Sequence, residues 1–219
     1  MDVNKALKRI SWATTNWPGV PIDPDGLAHA VNFTGNLNPI IWVFNGESEP
    51  RNFSQCFDDN QPIIAFRSLN AIVEASNERT ALSEEISNLY ADIIIKLVNK
   101  PIQLVGGNCQ GAPFAMWIAQ NLIANGHKVK NVSVIDAYPN IKVDAPVLLN
   151  FGIFSNYNPF LTNYPSSKKQ KDAEQRCRSF YASYEIAYLP CGHGKYFSPE
   201  NIIYLIKNLQ KFIRKNFSN

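Results

Sequence analysis

The stretch that most constrains this chain is Leu104-Val-Gly-Gly-Asn-Cys-Gln-Gly111. It begins as a short apolar strand, passes two glycines, and leads into Ala115–Ala124, whose apolar run and terminal Asn125-Gly126 predict a helix and its stop. Gly107-Asn108-Cys109-Gln110-Gly111 has the form G-x-C-x-G, a nucleophile elbow with cysteine in place of serine. So sharp a strand-to-helix turn strains the backbone of its central residue and admits only small neighbours. The helix beyond it directs its N-terminal N–H groups and partial positive charge at the turn, which predicts a thiolate-favouring site able to hold a developing oxyanion. The competing reading is an inert cysteine buried in a glycine-rich turn.

The remaining sequence supplies the sheet that such an elbow needs. Apolar runs over Pro39–Phe44, Gln61–Phe66, Ile102–Val105, Val129–Ile135, Val147–Phe154 and Tyr184–Leu189 predict strands. Helical spacing over Leu82–Val98 predicts a helix. Another opens at Ser198-Pro199-Glu200 and runs to about Arg214, where Ser198 can cap and proline suits the first turn. Strands alternating with helices predict an α/β fold with a mainly parallel central sheet. Residues 1–37, rich in proline and glycine, read as an irregular lead-in with room for an edge strand. Without repeats, linkers or low-complexity tracts, residues 1–219 read as a single domain.

Composition narrows the class. With 45% hydrophobic and 18% charged residues the chain is globular rather than disordered. Its net charge of +3 is too small to point to nucleic acid or a membrane surface, and no run approaches the roughly 18 apolar residues of a membrane span. The four cysteines, Cys56, Cys109, Cys177 and Cys191, include no close pair of zinc-binding or redox type, so neither metal nor cofactor is expected. The N-terminus has no signal-peptide-like apolar stretch, which predicts a cytoplasmic protein with free thiols.

A cysteine nucleophile requires a base, and there are three histidines. His29 lies in the lead-in, and His127 follows the elbow helix at the opposite end of the sheet. His193, in Pro190-Cys-Gly-His-Gly-Lys195, falls just after the last strand, where its glycine neighbours permit a tight loop. The loop after Val147–Phe154, Ser155-Asn-Tyr-Asn-Pro159, offers no carboxylate to orient it. Asp136, ending Ser133-Val-Ile-Asp136, sits at the carboxyl end of a strand beside the elbow, where sites of open α/β sheets form. Asp144 and Asp172 are the alternatives.

The order nucleophile, acid, histidine is that of the α/β-hydrolases. Over roughly Asn38 to Phe212 the chain resembles the thioesterase domains that release products from modular peptide and polyketide synthetases. The segments that carry the resemblance are IIWVFNGE, QPIIAFRS, QLVGGNCQGAPFAMWIAQNL, GHKVKNVSVIDAYP and CGHGKYFSPENI. In that family the acid follows the strand after the elbow helix, which matches Asp136. The resemblance further implies an oxyanion hole built from the backbone N–H of Gln110 and that of Glu47, or failing that Gly46. Two features depart from the family: cysteine replaces the usual serine, and the link from Asp136 to the next strand leaves no room for the usual helical lid. The spare residues lie in Ser155–Ser183, whose Lys168, Lys169, Lys171, Arg176 and Arg178 form either a solvated face or a docking patch for an acidic carrier. Its aromatics Tyr157, Phe160, Tyr164, Phe180 and Tyr181 either border an open groove over Cys109 or pack inward.

The implied activity is acyl transfer. A chain delivered as a thioester on the phosphopantetheine arm of an acyl or peptidyl carrier protein would pass to Cys109, then leave by hydrolysis, cyclisation or transfer to water or a small acceptor. An esterase or lactonase resembling dienelactone hydrolases, which share G-x-C-x-G, is the second enzyme reading. A catalytically inactive carrier-binding module is the third.

Overall fold

The computed structural model describes residues 1–74, 76–160 and 168–216. Its strands are β1 (Val20–Pro21), β2 (His29–Val31), β3 (Ile40–Phe44), β4 (Ile63–Arg67), β5 (Leu104–Asn108), β6 (Val132–Ile135), β7 (Val143–Gly152) and β8 (Tyr181–Leu189). The helices are α1 (Val3–Ala13), α2 (Glu49–Ser54), α3 (Asn77–Leu97), α4 (Gly111–Ala124), α5 (Lys168–Phe180) and α6 (Pro199–Lys215). The strands form one eight-stranded sheet in the order β1-β2-β4-β3-β5-β6-β7-β8. From β4 to β8 all pairings are parallel; β1 and β2 add an antiparallel edge.

Alternation along the strands builds two cores. On β3, Ile41 and Val43 face the α3–α4 side with Ile64, Phe66 and Val105, while Ile40, Trp42 and Phe44 face the opposite side with Phe53 of α2 and Leu205 and Leu209 of α6. Because both faces are covered, the central strands read in sequence as unbroken apolar runs rather than as polar–apolar alternation. Ser198 is the N-cap of α6 with proline beside it, although its hydroxyl makes no capping bond.

The structure corrects the reading of residues 1–37 as an irregular lead-in. Asp2 caps α1 by accepting from the Lys5 N–H at 2.8 Å, and Ala6 and Ile10 of α1 are buried in the core. Val3, Ala6, Leu7 and Ile10, spaced i, i+3, i+4 and i+7, form an apolar stripe against that core, a helical signal present in the sequence but only about two turns long. By contrast, α5 buries only Ala173 and Cys177.

Between β6 and β7, residues 136–142 form no helix. Of the aromatics in Ser155–Ser183, Phe160 and Tyr181 are buried, so they close the end of the sheet rather than border a groove. Tyr157 is exposed and reaches the site described next, whereas Tyr164 lies outside the described residues.

Candidate active site

Two adjacent parallel strands end in residues of left-handed conformation. Cys109, one residue past β5, has φ +47°, and Asp136, one residue past β6, has φ +50°. A positive φ costs a residue with a Cβ roughly 1–3 kcal/mol and persists only where the surroundings impose it. Here the Cys109 N–H donates to the Ile135 carbonyl and the Asp136 N–H to the Asn150 carbonyl, both at 2.8 Å, so each turn is pinned to its neighbouring strand. The elbow glycines are required by contact. A Cβ on Gly107 would stand 2.3 Å from the Gly111 carbonyl oxygen, and one on Gly111 would stand 2.3 Å from that of Val43.

The residues singled out in the sequence converge. Cys109 Sγ lies 3.6 Å from His193 Nε2, within reach of a sulfur hydrogen bond. His193 Nδ1 lies 3.0 Å from Asp136 Oδ2. The Asp136 carboxylate is wholly buried, while the imidazole is 36% exposed. Tyr157 stacks over that imidazole with ring centroids 4.5 Å apart. The alternative acids are exposed, Asp144 on β7 and Asp172 on α5, and neither bonds to His193. His29 is buried in β2, and His127 follows α4.

Asp136 has partners that sequence reasoning missed. Besides His193 it accepts from the Gly152 N–H at 3.1 Å, from the Ser155 hydroxyl and from the Tyr196 hydroxyl. The loop that lacked a carboxylate thus supplies the acid with a donor instead. Tyr196 is 1% exposed and its phenol is pushed far above the ordinary range, first by burial and then by the adjacent carboxylate. It therefore stays protonated and donates.

The thiol departs from the sequence expectation of a favoured thiolate. Burial pushes the Cys109 thiol up from its ordinary value, and the charges of Asp136 and Glu49 push the same way. The Gln110 N–H and the Arg79 guanidinium oppose them without prevailing. Desolvation outweighs the Gln110 N–H, so the surroundings favour the thiol over the thiolate.

A second missed group is Glu49, at the start of α2. Its carboxylate accepts from the Asn45 N–H at 2.7 Å and from the Asn108 side-chain amide at 3.2 Å. Of the proposed oxyanion donors, the Glu47 N–H lies on the exposed loop after β3 and the Gln110 N–H follows the nucleophile. The Gly46 N–H, the alternative donor, lies one residue before Glu47 on that loop. Neither a Glu at a helix start nor a Tyr in a glycine-rich loop has a periodicity that marks it in sequence.

A cavity of about 290 Å³ opens beside Cys109. Leu69, Pro113, Phe114 and Trp117 make its walls apolar, with Arg79 and Tyr157 at its edge. On α5 the basic side chains Lys168, Lys169, Lys171, Arg176 and Arg178 lie on the face turned from the core, and Arg178 pairs with Glu174 at 3.5 Å. Among the described residues no group of three or more His, Cys, Asp or Glu side chains could hold a metal ion, and no helix is long and apolar enough to cross a membrane.

No protein-family model and no curated protein matches the chain. Solved structures do. The NocB thioesterase domain, determined as a covalent complex with a fluorophosphonate nocardicin G analogue, superposes with a TM-score of 0.58 at 12% identity, covering 87% of this chain and 99% of that one. SrfTE, the thioesterase domain that cyclises the lipopeptide antibiotic surfactin, gives 0.58 at 14% identity over 85% of this chain and 95% of its own. YbtT, a type II thioesterase of the yersiniabactin NRPS/PKS pathway, gives 0.56 at 10% identity over 84% and 98%. The chain has the α/β-hydrolase fold of these thioesterase domains, a mainly parallel sheet flanked by helices; its own link between β6 and β7 contains no helix.

Proposed function

We propose that this protein is a thioesterase-like acyl-transfer enzyme that takes an acyl or peptidyl chain from a carrier-protein thioester onto Cys109. The observation that carries this reading is the continuous relay from Cys109 Sγ to His193 Nε2, 3.6 Å, and from His193 Nδ1 to Asp136, 3.0 Å, at a strained strand-to-helix turn. The fold shared with thioesterase domains supports it.

In the proposed reaction His193 Nε2 removes the thiol proton as Cys109 Sγ attacks the thioester carbonyl carbon. The imidazolium that forms is stabilised by Asp136, which also holds the ring in the required tautomer. The carbonyl oxygen becomes an oxyanion facing the N–H groups of Gln110 and Glu47; one such donor contributes about 3–4 kcal/mol in comparable sites. The tetrahedral adduct collapses, the carrier's thiol leaves with the proton from His193, and the chain remains on Cys109 as a thioester. His193 then deprotonates water, an amine or a hydroxyl, which attacks that thioester and releases the acid, amide or ester. An acyl-cysteine is nearly equal in energy to the incoming thioester, so it retains the potential to acylate an amine.

The cavity beside Cys109 fits an apolar acyl portion. The carrier's arm enters from the solvent side, where no helix follows β6. All four cysteines are free thiols, and a reducing compartment such as the cytoplasm would keep Cys109 competent.

The test is intact-mass trapping. Incubation with acyl-pantetheine or acyl-carrier thioesters should add one acyl mass, which peptide mapping places on Cys109. Aryl esters or lactones acylating the protein while thioesters fail would favour the esterase reading, and no acylation by either would sink the proposal.

A further inference from the structure

The oxyanion hole of the proposed reaction needs two N–H groups carried by different segments, Gln110 at the elbow and Glu47 on the loop after β3. Something must fix one segment against the other. Glu47 and its neighbour Ser48 are exposed, α2 is only six residues long, and Ser48, its N-cap, makes no side-chain capping bond. The loop therefore has little rigidity of its own.

Glu49 bridges that gap. Its carboxylate takes the Asn45 N–H at 2.7 Å from the loop, together with the Asn108 amide from the elbow at 3.2 Å to Oε1 and 3.4 Å to Oε2. It lies so close over Gly46 that a Cβ there would stand 3.2 Å from Glu49 Cγ. A parallel tie runs beneath it: the Asn45 side-chain amide donates to the Asn108 carbonyl at 2.6 Å, while the Ser68 hydroxyl donates to Asn45 Oδ1 at 2.5 Å. With the Asn45 N–H taken by Glu49, the loop is anchored two residues before the Glu47 N–H.

Holding a carboxylate here is costly, since burial raises its proton affinity. The Arg67 guanidinium, 8% exposed on the adjoining strand end, supplies the opposing charge; its Nη2 donates to the Asn70 carbonyl at 3.0 Å and its Nη1 has no hydrogen-bond partner. An apolar residue would fill the space more cheaply. It would not bind one donor from each of two segments.

We propose that Glu49 is the positioning residue of the oxyanion hole, tying the loop after β3 to the nucleophile elbow so that the Glu47 and Gln110 N–H groups address one oxygen. The inference rests on the acyl-transfer reading above, and its test separates the two. Alkylation of Cys109 by iodoacetamide is a displacement at saturated carbon and forms no oxyanion, whereas acylation by a thioester or by p-nitrophenyl acetate does. A peptide aldehyde, which forms a hemithioacetal on Cys109, reads the same hole without turnover.

For Glu49→Ala, acylation by a thioester or by p-nitrophenyl acetate should fall about 100-fold or more, the usual loss for one oxyanion donor. Aldehyde affinity should fall in proportion, while KM stays within about threefold of wild type and alkylation does not slow, since losing the Glu49 charge can only favour the thiolate. Glu49→Gln keeps the shape and one acceptor oxygen, and should lie between. If alkylation and acylation fall together in Glu49→Gln, or if acylation is unchanged in both variants, the inference is overturned. Failure of thioesters alone to acylate the wild-type protein would instead count against the functional reading, because aryl ester and aldehyde still report on the hole.

Discussion

Cys109 and Asp136 are built alike and equipped differently. Each follows a parallel strand by one residue, each has a φ near +50°, and each donates its N–H at 2.8 Å to a carbonyl on the neighbouring strand. After Cys109 the chain enters α4; after Asp136 it runs through residues that form no helix. The Asp136 carboxylate is fully buried and saturated by His193, Ser155, Tyr196 and the Gly152 N–H. The thiol, by contrast, meets His193 at 3.6 Å and the Gln110 N–H. The same backbone device thus presents one group that is locked before substrate arrives and one that remains free to react. In the proposed reaction this places rigidity on Asp136, the orienting acid, and withholds it from Cys109, the proposed nucleophile, which must form and break bonds.

The largest effect should come from removing the group left free. Cys109→Ala should abolish acylation while the protein still folds, since a smaller side chain enters a turn that already tolerates Cβ. Activity within tenfold of wild type would show that the comparison names the wrong nucleophile. Asp136→Asn should come next. A neutral resting thiol makes His193 a working base rather than half of a preformed ion pair, so loss of its orienting acid should lower the acylation rate by roughly 10³–10⁴-fold. Asp144→Asn, at an exposed site on β7, should leave the rate within about twofold. The reverse ranking would show that the buried carboxylate is structural only.

The comparison also predicts a pH profile. Because burial, Asp136 and Glu49 push the Cys109 thiol up, the thiolate fraction below that raised value should grow tenfold per pH unit. Alkylation of Cys109 by iodoacetamide should therefore increase about 100-fold between pH 7 and pH 9, followed by peptide mass analysis because Cys56 is also partly exposed. A rate already at its plateau near pH 6 would indicate a preformed thiolate–imidazolium pair.

How far this arrangement is legible in sequence depends on the kind of signal each part leaves. The buried parallel strands, such as Ile40–Phe44 and Ile63–Arg67, appear as apolar runs because both faces of the sheet are covered. The elbow announces itself because Gly107 and Gly111 are demanded by backbone contacts of 2.3 Å. His193 and Asp136 follow from where strands end. Helix α1 carries a short apolar stripe, Val3, Ala6, Leu7 and Ile10, amid the polar residues of a chain end, whereas the six-residue α2 is too short to leave a periodic trace. Glu49, Ser155 and Tyr196 are polar residues in loops or at helix starts that meet their partners only through the fold. Tyr196 lies 60 positions from Asp136 in the chain. No spacing rule reaches that far.

The finest prediction concerns those partners, because it asks whether the acid's saturation matters or merely accompanies its burial. Tyr196 donates to Asp136 and also lies 3.0 Å from His193 Nδ1, so it fixes both members of the pair. Ser155 touches Asp136 alone and also accepts from the Tyr157 N–H at 3.2 Å, which holds the aromatic stacked on His193. Tyr196→Phe should reduce acylation about tenfold, the worth of one hydrogen bond to a charged group. Ser155→Ala should cost only about threefold, as Asp136 keeps its other donors. The double variant decides between the readings. If the two losses multiply, each donor acts separately on the acid. If the double variant loses far more than the product, they hold Asp136 as a unit, as polar networks in a buried site do.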